Sequence, residues 1–201
     1  MPPATIIWHG SGSHDEYYDV TGGEFRLQAV YGHNFDLVGN TLFSLYPPLN
    51  LRRAPLNFFD IAGYSASVLE LYDQPALSPV LTAAFPFSMA DSVRYRIDYR
   101  VTAVVDAYGT LTIPGGTYAV LREKRTQERS VNLECKISPL GWLDTTTEAQ
   151  AAGAQGLGYT ITTYYTFTND TVKEPIAVVN TGDDGLLPLE VSFKHTPPGA
   201  P

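Results

Sequence analysis

Apolar and polar residues alternate along much of this chain. From Ser92 to Asp106, Val93, Tyr95, Ile97, Tyr99, Val101, Ala103 and Val105 fall on one side. Arg94, Arg96, Asp98, Arg100, Thr102 and Asp106 fall on the other, and Val104 breaks the pattern. A period of two is that of a strand with one buried face. Asp106-Ala107-Tyr108-Gly109 then reads as a turn and Thr110 to Ile113 as a short strand. Pro114-Gly115-Gly116 reads as a reversal, because proline presets φ and glycine takes positive φ without steric cost. Return strands are expected over Thr117 to Arg129 and Ser130 to Ile137. Gly158 to Thr168 alternates again, with Tyr159, Ile161, Thr163, Tyr165 and Phe167 on one side. Pro175 to Asn180 and Leu187 to His195 flank a hairpin turn at Thr181-Gly182-Asp183-Asp184-Gly185.

The first ninety residues are looser. Strands are expected at Glu24 to Val30, Thr41 to Leu45 and Ser67 to Tyr72. Prolines at 47, 48, 55, 75, 79 and 86 mark edges and connections, since proline cannot donate to a sheet ladder. Thr145 to Gly156 reads as a loop or one short helical turn. These elements predict an all-β protein, an antiparallel β-sandwich-like domain with Gly/Pro-rich hairpin turns and little helix. The expected division is a proline-interrupted half over 1–90, a hairpin-rich half over 91–195 and a linker-like tail over 196–201.

Composition narrows the function. Hydrophobic residues make up 44% of the 201, enough for a sizeable core. Charged residues make up 17%, below the roughly 25% usual for globular domains. A net charge of −8 argues against non-specific nucleic-acid binding, which needs a basic footprint, and against anionic membranes. No apolar run approaches the roughly 18 residues of a membrane helix, and no membrane insertion is expected. The start, MPPATIIWHG, has neither the basic region nor the apolar run of a signal peptide.

Candidate chemistry is sparse. The lone Cys135 rules out an intrachain disulfide and sits where alternation points it into the core, inert. His9 to Glu16, HGSGSHDE, offers imidazoles and carboxylates that zinc accepts, but the Gly/Ser-rich setting reads as a solvated loop. Ser65 in GYSAS falls one glycine short of a nucleophile elbow and lacks its α/β context. Asp183 and Asp184 fit a turn better than a calcium site. No catalytic residue, metal or cofactor is expected, and the chain is read as a non-enzyme.

Aromatic and basic surfaces remain as ligand-binding candidates. Trp142, Tyr159 and Tyr164 supply flat rings that could stack on sugars. Arg94, Arg96 and Arg100 share a strand face, a basic stripe on an acidic protein, with Arg122 and Lys124 on one face of the return strand. That stripe is expected either to be a solvated face, with Asp98, Glu123, Glu128 and Glu134 as cross-strand partners, or to dock a surface polysaccharide or a neighbouring copy of the chain. Long strands rich in Thr and Tyr also leave sheet edges able to template pairing with another chain.

The stretch DAYGTLTIPGGTYAVLREKR, Asp106 to Arg125, carries a wider likeness. It follows Phe85-Pro86-Phe87 and Asp91-Ser92 and precedes Tyr164 to Asp170, Glu174 to Val179 and Leu189 to Lys194. In this order the residues from about 85 to 194 resemble secreted and surface proteins of the Bacteroidota exported by the type IX secretion system. The resemblance implies an extracellular or cell-surface location, with the export signal and sorting domain removed from the mature chain, and assigns no catalytic residue. The expected function is a non-enzymatic structural or adhesive β module. A carbohydrate-binding module is the alternative, and a glycoside hydrolase, which needs two carboxylates facing across a cleft, comes third.

Overall fold

The structure is a computed structural model that describes residues 6–9, 14–33, 40–73, 79–171, 175–182 and 185–194. It is all-β and antiparallel with little helix, the class that the alternation predicts. The strands are β1 (Ile6–His9), β2 (His14–Thr21), β3 (Glu24–His33), β4 (Asn40–Arg53), β5 (Ile61–Asp73), β6 (Ser92–Ile113), β7 (Gly116–Ile137), β8 (Gly141–Asp144), β9 (Gly158–Thr168), β10 (Ala177–Thr181) and β11 (Pro188–Phe193). Two short helices, α1 (Pro79–Ala83) and α2 (Thr146–Ala151), and a 3-10 turn at Phe87–Met89 complete the described elements. All eleven strands join one sheet in the order β1-β2-β3-β4-β5-β6-β7-β9-β10-β11, with β8 pairing the C-terminal end of β7.

The central hairpin is longer than expected. β6 and β7 each run 22 residues without a break. The turn expected at Asp106 to Gly109 is therefore strand, and the two return strands are one. The local turn chemistry of Asp-Ala-Tyr-Gly yields to the partner strand: Asp106 receives both Nε and Nη2 of Arg122 at 2.9 and 3.1 Å. The reversal falls at Pro114-Gly115, with Gly115 at φ 106°. β2 and β3 are joined by Gly22-Gly23 at φ 62° and 81°, the positive pair that a two-residue hairpin loop matching strand twist requires.

Pro47 and Pro48 lie inside β4, where Ala29 pairs Ser44 and Leu27 pairs Leu49. Leu45 to Pro48 thus bulge opposite Gln28, and a bulge is where a sheet tolerates proline. The HGSGSHDE stretch, expected as a solvated loop, has its ends in an antiparallel pair: His9 closes β1 opposite Asp15 of β2. Ser65 lies within β5, not on a strand-to-helix turn. Asp183, Asp184, His195 and the tail at 196–201 lie outside the described residues.

The chain forms two compact units made of interleaved segments. One comprises 1–53, 65–99 and 129–160, and the other 54–64, 100–128 and 161–201, so β6 and β7 contribute to both. In the first unit Val93, Tyr95 and Ile97 of β6 and Val131, Leu133, Cys135 and Ile137 of β7 are buried, as are Phe43 and Leu49 of β4. Phe43 and Tyr95 meet at 5.5 Å between ring centroids. Cys135 is fully buried, its thiol pushed up by desolvation and its sulfur accepting from Thr145 Oγ1 at 3.5 Å.

The second unit buries Val101, Ala103 and Val105 of β6 together with a polar set, Glu123, Arg125, Thr163, Thr166, Thr168 and Thr181. Glu123, expected on a solvated face, is a correction. The odd register that buries Val131 to Ile137 continues up β7 and carries Glu123 and Arg125 inward with it.

Candidate adhesive surface

The second unit presents an aromatic cluster that grows from one tight loop. Asn57 N–H donates to Asp60 Oδ2 at 2.8 Å, and Asp60 N–H returns to Asn57 O at 3.1 Å. The loop is pinned to β6 on both sides: Phe59 N–H donates to Val105 O at 3.0 Å, and Val105 N–H to Asp60 O at 2.9 Å. Between these anchors Phe59 is held at φ 68°, the sole non-glycine residue with positive φ among the described residues. For a bulky side chain that conformation is a strained outlier, which the surrounding bonds over-determine. The backbone thus turns the Phe59 ring outward, 73% exposed. The ring of its neighbour Phe58 lies tilted by 33° at 3.9 Å between centroids, and Tyr108, 72% exposed, meets Phe58 edge-on at 4.9 Å. Ile61 is exposed beside the loop in sequence. The cluster can supply rigid apolar contact area and flat ring faces, and holds no nucleophile or acid–base pair.

Two rings packed on the central Phe58 are half-preorganised for a partner, since little rotamer freedom is left to lose on contact. Sequence reasoning passed over this set because Asn57-Phe58-Phe59-Asp60 lies outside any alternating run. The signal was present: an Asn and an Asp flanking two aromatics is turn chemistry around residues that should be buried.

A second polar feature of this unit is internal. Arg125, 1% exposed, reaches Glu123 at 3.5 Å, and its guanidinium stands 5.6 Å from the Tyr64 ring and 6.0 Å from the Tyr164 ring. Burial raises the Tyr164 hydroxyl pKa, with Arg125 opposing. Tyr164 therefore faces a buried charge pair. On the other face of β9, Tyr165 lies 5.1 Å from the Arg122 guanidinium and donates its hydroxyl to Gly185 O at 3.1 Å.

The remaining residues singled out from sequence are placed as follows. The Arg94 guanidinium lies 4.4 Å over the Trp142 ring and pairs with Glu134, so one ring face is already covered. Arg96 donates to Asp98 Oδ2 at 2.7 Å, and Arg100, well exposed, reaches Glu128 at 3.9 Å. Each stripe arginine is thus within ion-pair reach of a carboxylate. The two exposed pairs, Arg96–Asp98 and Arg100–Glu128, contribute only about 0–1 kcal/mol each. Tyr159 is exposed near the start of β9.

In the first unit a groove of about 240 Å³ is lined by Phe85, Met89, Leu140 and Leu143 with Asp144 and Glu148. That volume is below the roughly 300–1,000 Å³ of ligand pockets. No cluster of three or more His, Cys, Asp or Glu suited to a metal occurs among the described residues, and no helix among them is long and apolar enough to cross a membrane. No known family model, curated protein or solved structure matches the chain.

Proposed function

We propose that the chain is a non-enzymatic structural or adhesive β module of the cell exterior that makes contact through exposed rings. The observation that carries this reading is Phe59, a large apolar side chain pushed into solvent by a strained, doubly anchored backbone. Strain of that kind persists where the surrounding structure over-determines it, and it clusters at working surfaces. The carboxylates of Asp106 and Glu123 are each paired with an arginine, an arrangement suited to scaffold. The extracellular setting is supported by the resemblance to type IX cargo.

The test has two parts. Surface biotinylation of intact cells that express the native gene should label the protein, and recovery in the cytosol alone would overturn the location. Replacing Phe59 and Tyr108 together by Ala should lower adhesion of protein-coated beads to those cells by about tenfold, the loss of one or two interface anchors. Unchanged adhesion would remove the patch from the function.

A second reading is favoured by the exposed rings of Tyr108 and Phe59: a carbohydrate-binding module, with a surface polysaccharide as ligand. Signal on a glycan array that the Phe59 and Tyr108 double variant loses would select it. An array without hits would discard it.

A further inference from the structure

β11 ends the strand order, and its apolar side is open: Leu189, Val191 and Phe193 are all exposed. Its ladder to β10 pairs Val179 with Val191 and Ala177 with Phe193, and Lys194 N–H donates to Ile176 O at 2.9 Å. Successive residues of a strand aim their backbone groups to opposite sides. Since Lys194 bonds toward β10, the N–H and C=O groups of Val191 and Phe193 aim at the edge away from β10, which pairs no strand among the described residues. No Pro interrupts this stretch after Pro188, and no Lys or Arg precedes Lys194 in it, so neither proline nor a basic side chain blunts the edge along Leu189 to Phe193.

We propose that β11 is a self-pairing edge, on which a second copy of this chain adds its own β11 antiparallel about a two-fold axis through Ser192. The charges choose this occupant and this register. With Ser192 opposite Ser192 of the second copy, Glu190 stands opposite Lys194 and Lys194 opposite Glu190, so both charged positions meet their opposites. Centring the pair on Glu190 would set two carboxylates against each other, which is destabilising. The Ser192 register also satisfies the backbone. Val191 falls opposite Phe193 as a hydrogen-bonded pair, the two residues whose backbone groups aim outward. Ser192 and the Glu190–Lys194 positions become non-hydrogen-bonded pairs, where side chains come closest. Leu189, Val191 and Phe193 of both copies join into one apolar stripe. Asn180 Nδ2 donates to Glu190 Oε2 at 3.1 Å and holds the carboxylate on the polar face of the strand. An interface of this kind is isologous and closes at two copies.

The inference rests on the structural-module reading for its biological setting, and its test stands apart from that reading. The full chain is expected to dimerise reversibly in sedimentation analysis. Ser192→Cys, with its Cα about 4.5 Å from its counterpart in a non-hydrogen-bonded pair, should give a disulfide dimer on mild oxidation. Glu190→Cys should not, and the parent chain should not, because Cys135 is fully buried. Glu190→Lys should weaken dimerisation roughly tenfold, two like-charged pairs replacing two attractive ones. The swap of Glu190→Lys with Lys194→Glu should restore it. Glu190 lies on the exposed strand β11 and Lys194 directly after it, and circular dichroism on each variant establishes that the fold is kept. A chain that stays monomeric at every concentration, assembly beyond a dimer, or a dimer indifferent to Glu190→Lys would each overturn the pairing. A monomer still displayed on the cell surface would sink the pairing alone and leave the structural-module reading standing.

Discussion

The two units differ in what they bury. The first fills its interior with Val93, Tyr95, Ile97, Val131, Leu133 and Cys135, and among the described residues Asn50 and Thr145 are its only buried residues of polar type besides buried tyrosines such as Tyr95. The second buries Glu123, Arg125 and four threonines around a smaller apolar set. The same two strands, β6 and β7, furnish both interiors, and on β7 odd positions are buried in both units, with Val120 the even exception. At Glu123 and Arg125 register sets the burial, and the chemistry of the residue decides only what the burial costs.

The comparison breaks first at Arg125. Arg125→Met leaves the Glu123 carboxylate buried without its arginine, and stability should fall by about 3–5 kcal/mol. Adding Glu123→Leu should recover most of that, because an apolar pair of similar volume escapes the desolvation penalty. Urea unfolding of both variants measures it. A single variant as stable as the parent would mean that the pair is solvated and the second interior is not polar in the sense described.

The matching cut in the first unit is Leu133→Ala, expected to cost about 3 kcal/mol through lost transfer energy and the cavity left behind. No second substitution nearby should rescue it as Glu123→Leu rescues Arg125→Met. A double-mutant cycle in each unit tests that contrast.

Alkaline pH probes both interiors at once. Burial raises the Tyr95 hydroxyl and the Cys135 thiol in the first unit and the Tyr164 hydroxyl in the second. The protonated, neutral forms are the ones the fold accepts. Their contribution is complete below the unfolded-chain values, about 8.5 for the thiol and about 10 for the phenols, and is lost as pH rises beyond them. Melting temperature should hold through neutral pH and then fall by several degrees by about pH 11. A flat profile to that point would mean that these groups are hydrated in the folded state.

Much of this was legible in the sequence. The alternation at Val93 to Val105 matches the buried positions except at Tyr99, which is half-buried, Gly158 to Thr168 is the strand predicted, and Cys135 points inward as its neighbours required. Asp106 to Gly109 misled because turn residues are read locally, whereas a strand 22 residues long is held by its partner. Glu123 and Arg125 were missed because charge was taken as a mark of surface. Carrying the odd register back from Cys135 through Val131 would have placed them inside. The aromatic cluster depends on a positive φ at Phe59 and on Val105 bonds distant in sequence, neither of which a periodic pattern records.

The smallest expected effect is at that residue. Phe59→Asn relieves the left-handed backbone, since Asn tolerates it, and forfeits little burial. Stability should rise by about 0.5–1 kcal/mol by urea unfolding while adhesion falls. A loss of stability would show that the ring is held by packing and not by the loop.

The interleaving of the two units has a consequence for heredity. Each unit draws on three separate stretches of chain, and the boundaries at Tyr99/Arg100 and Glu128/Arg129 fall in mid-strand. No single genetic crossover can hand one unit to another protein intact. A gene fragment ending at either boundary would carry half a hairpin and parts of two cores. Such a pair cannot be shuffled as modules are; the two interiors are inherited together and diverge only by substitution, each holding the other's strands in its lineage.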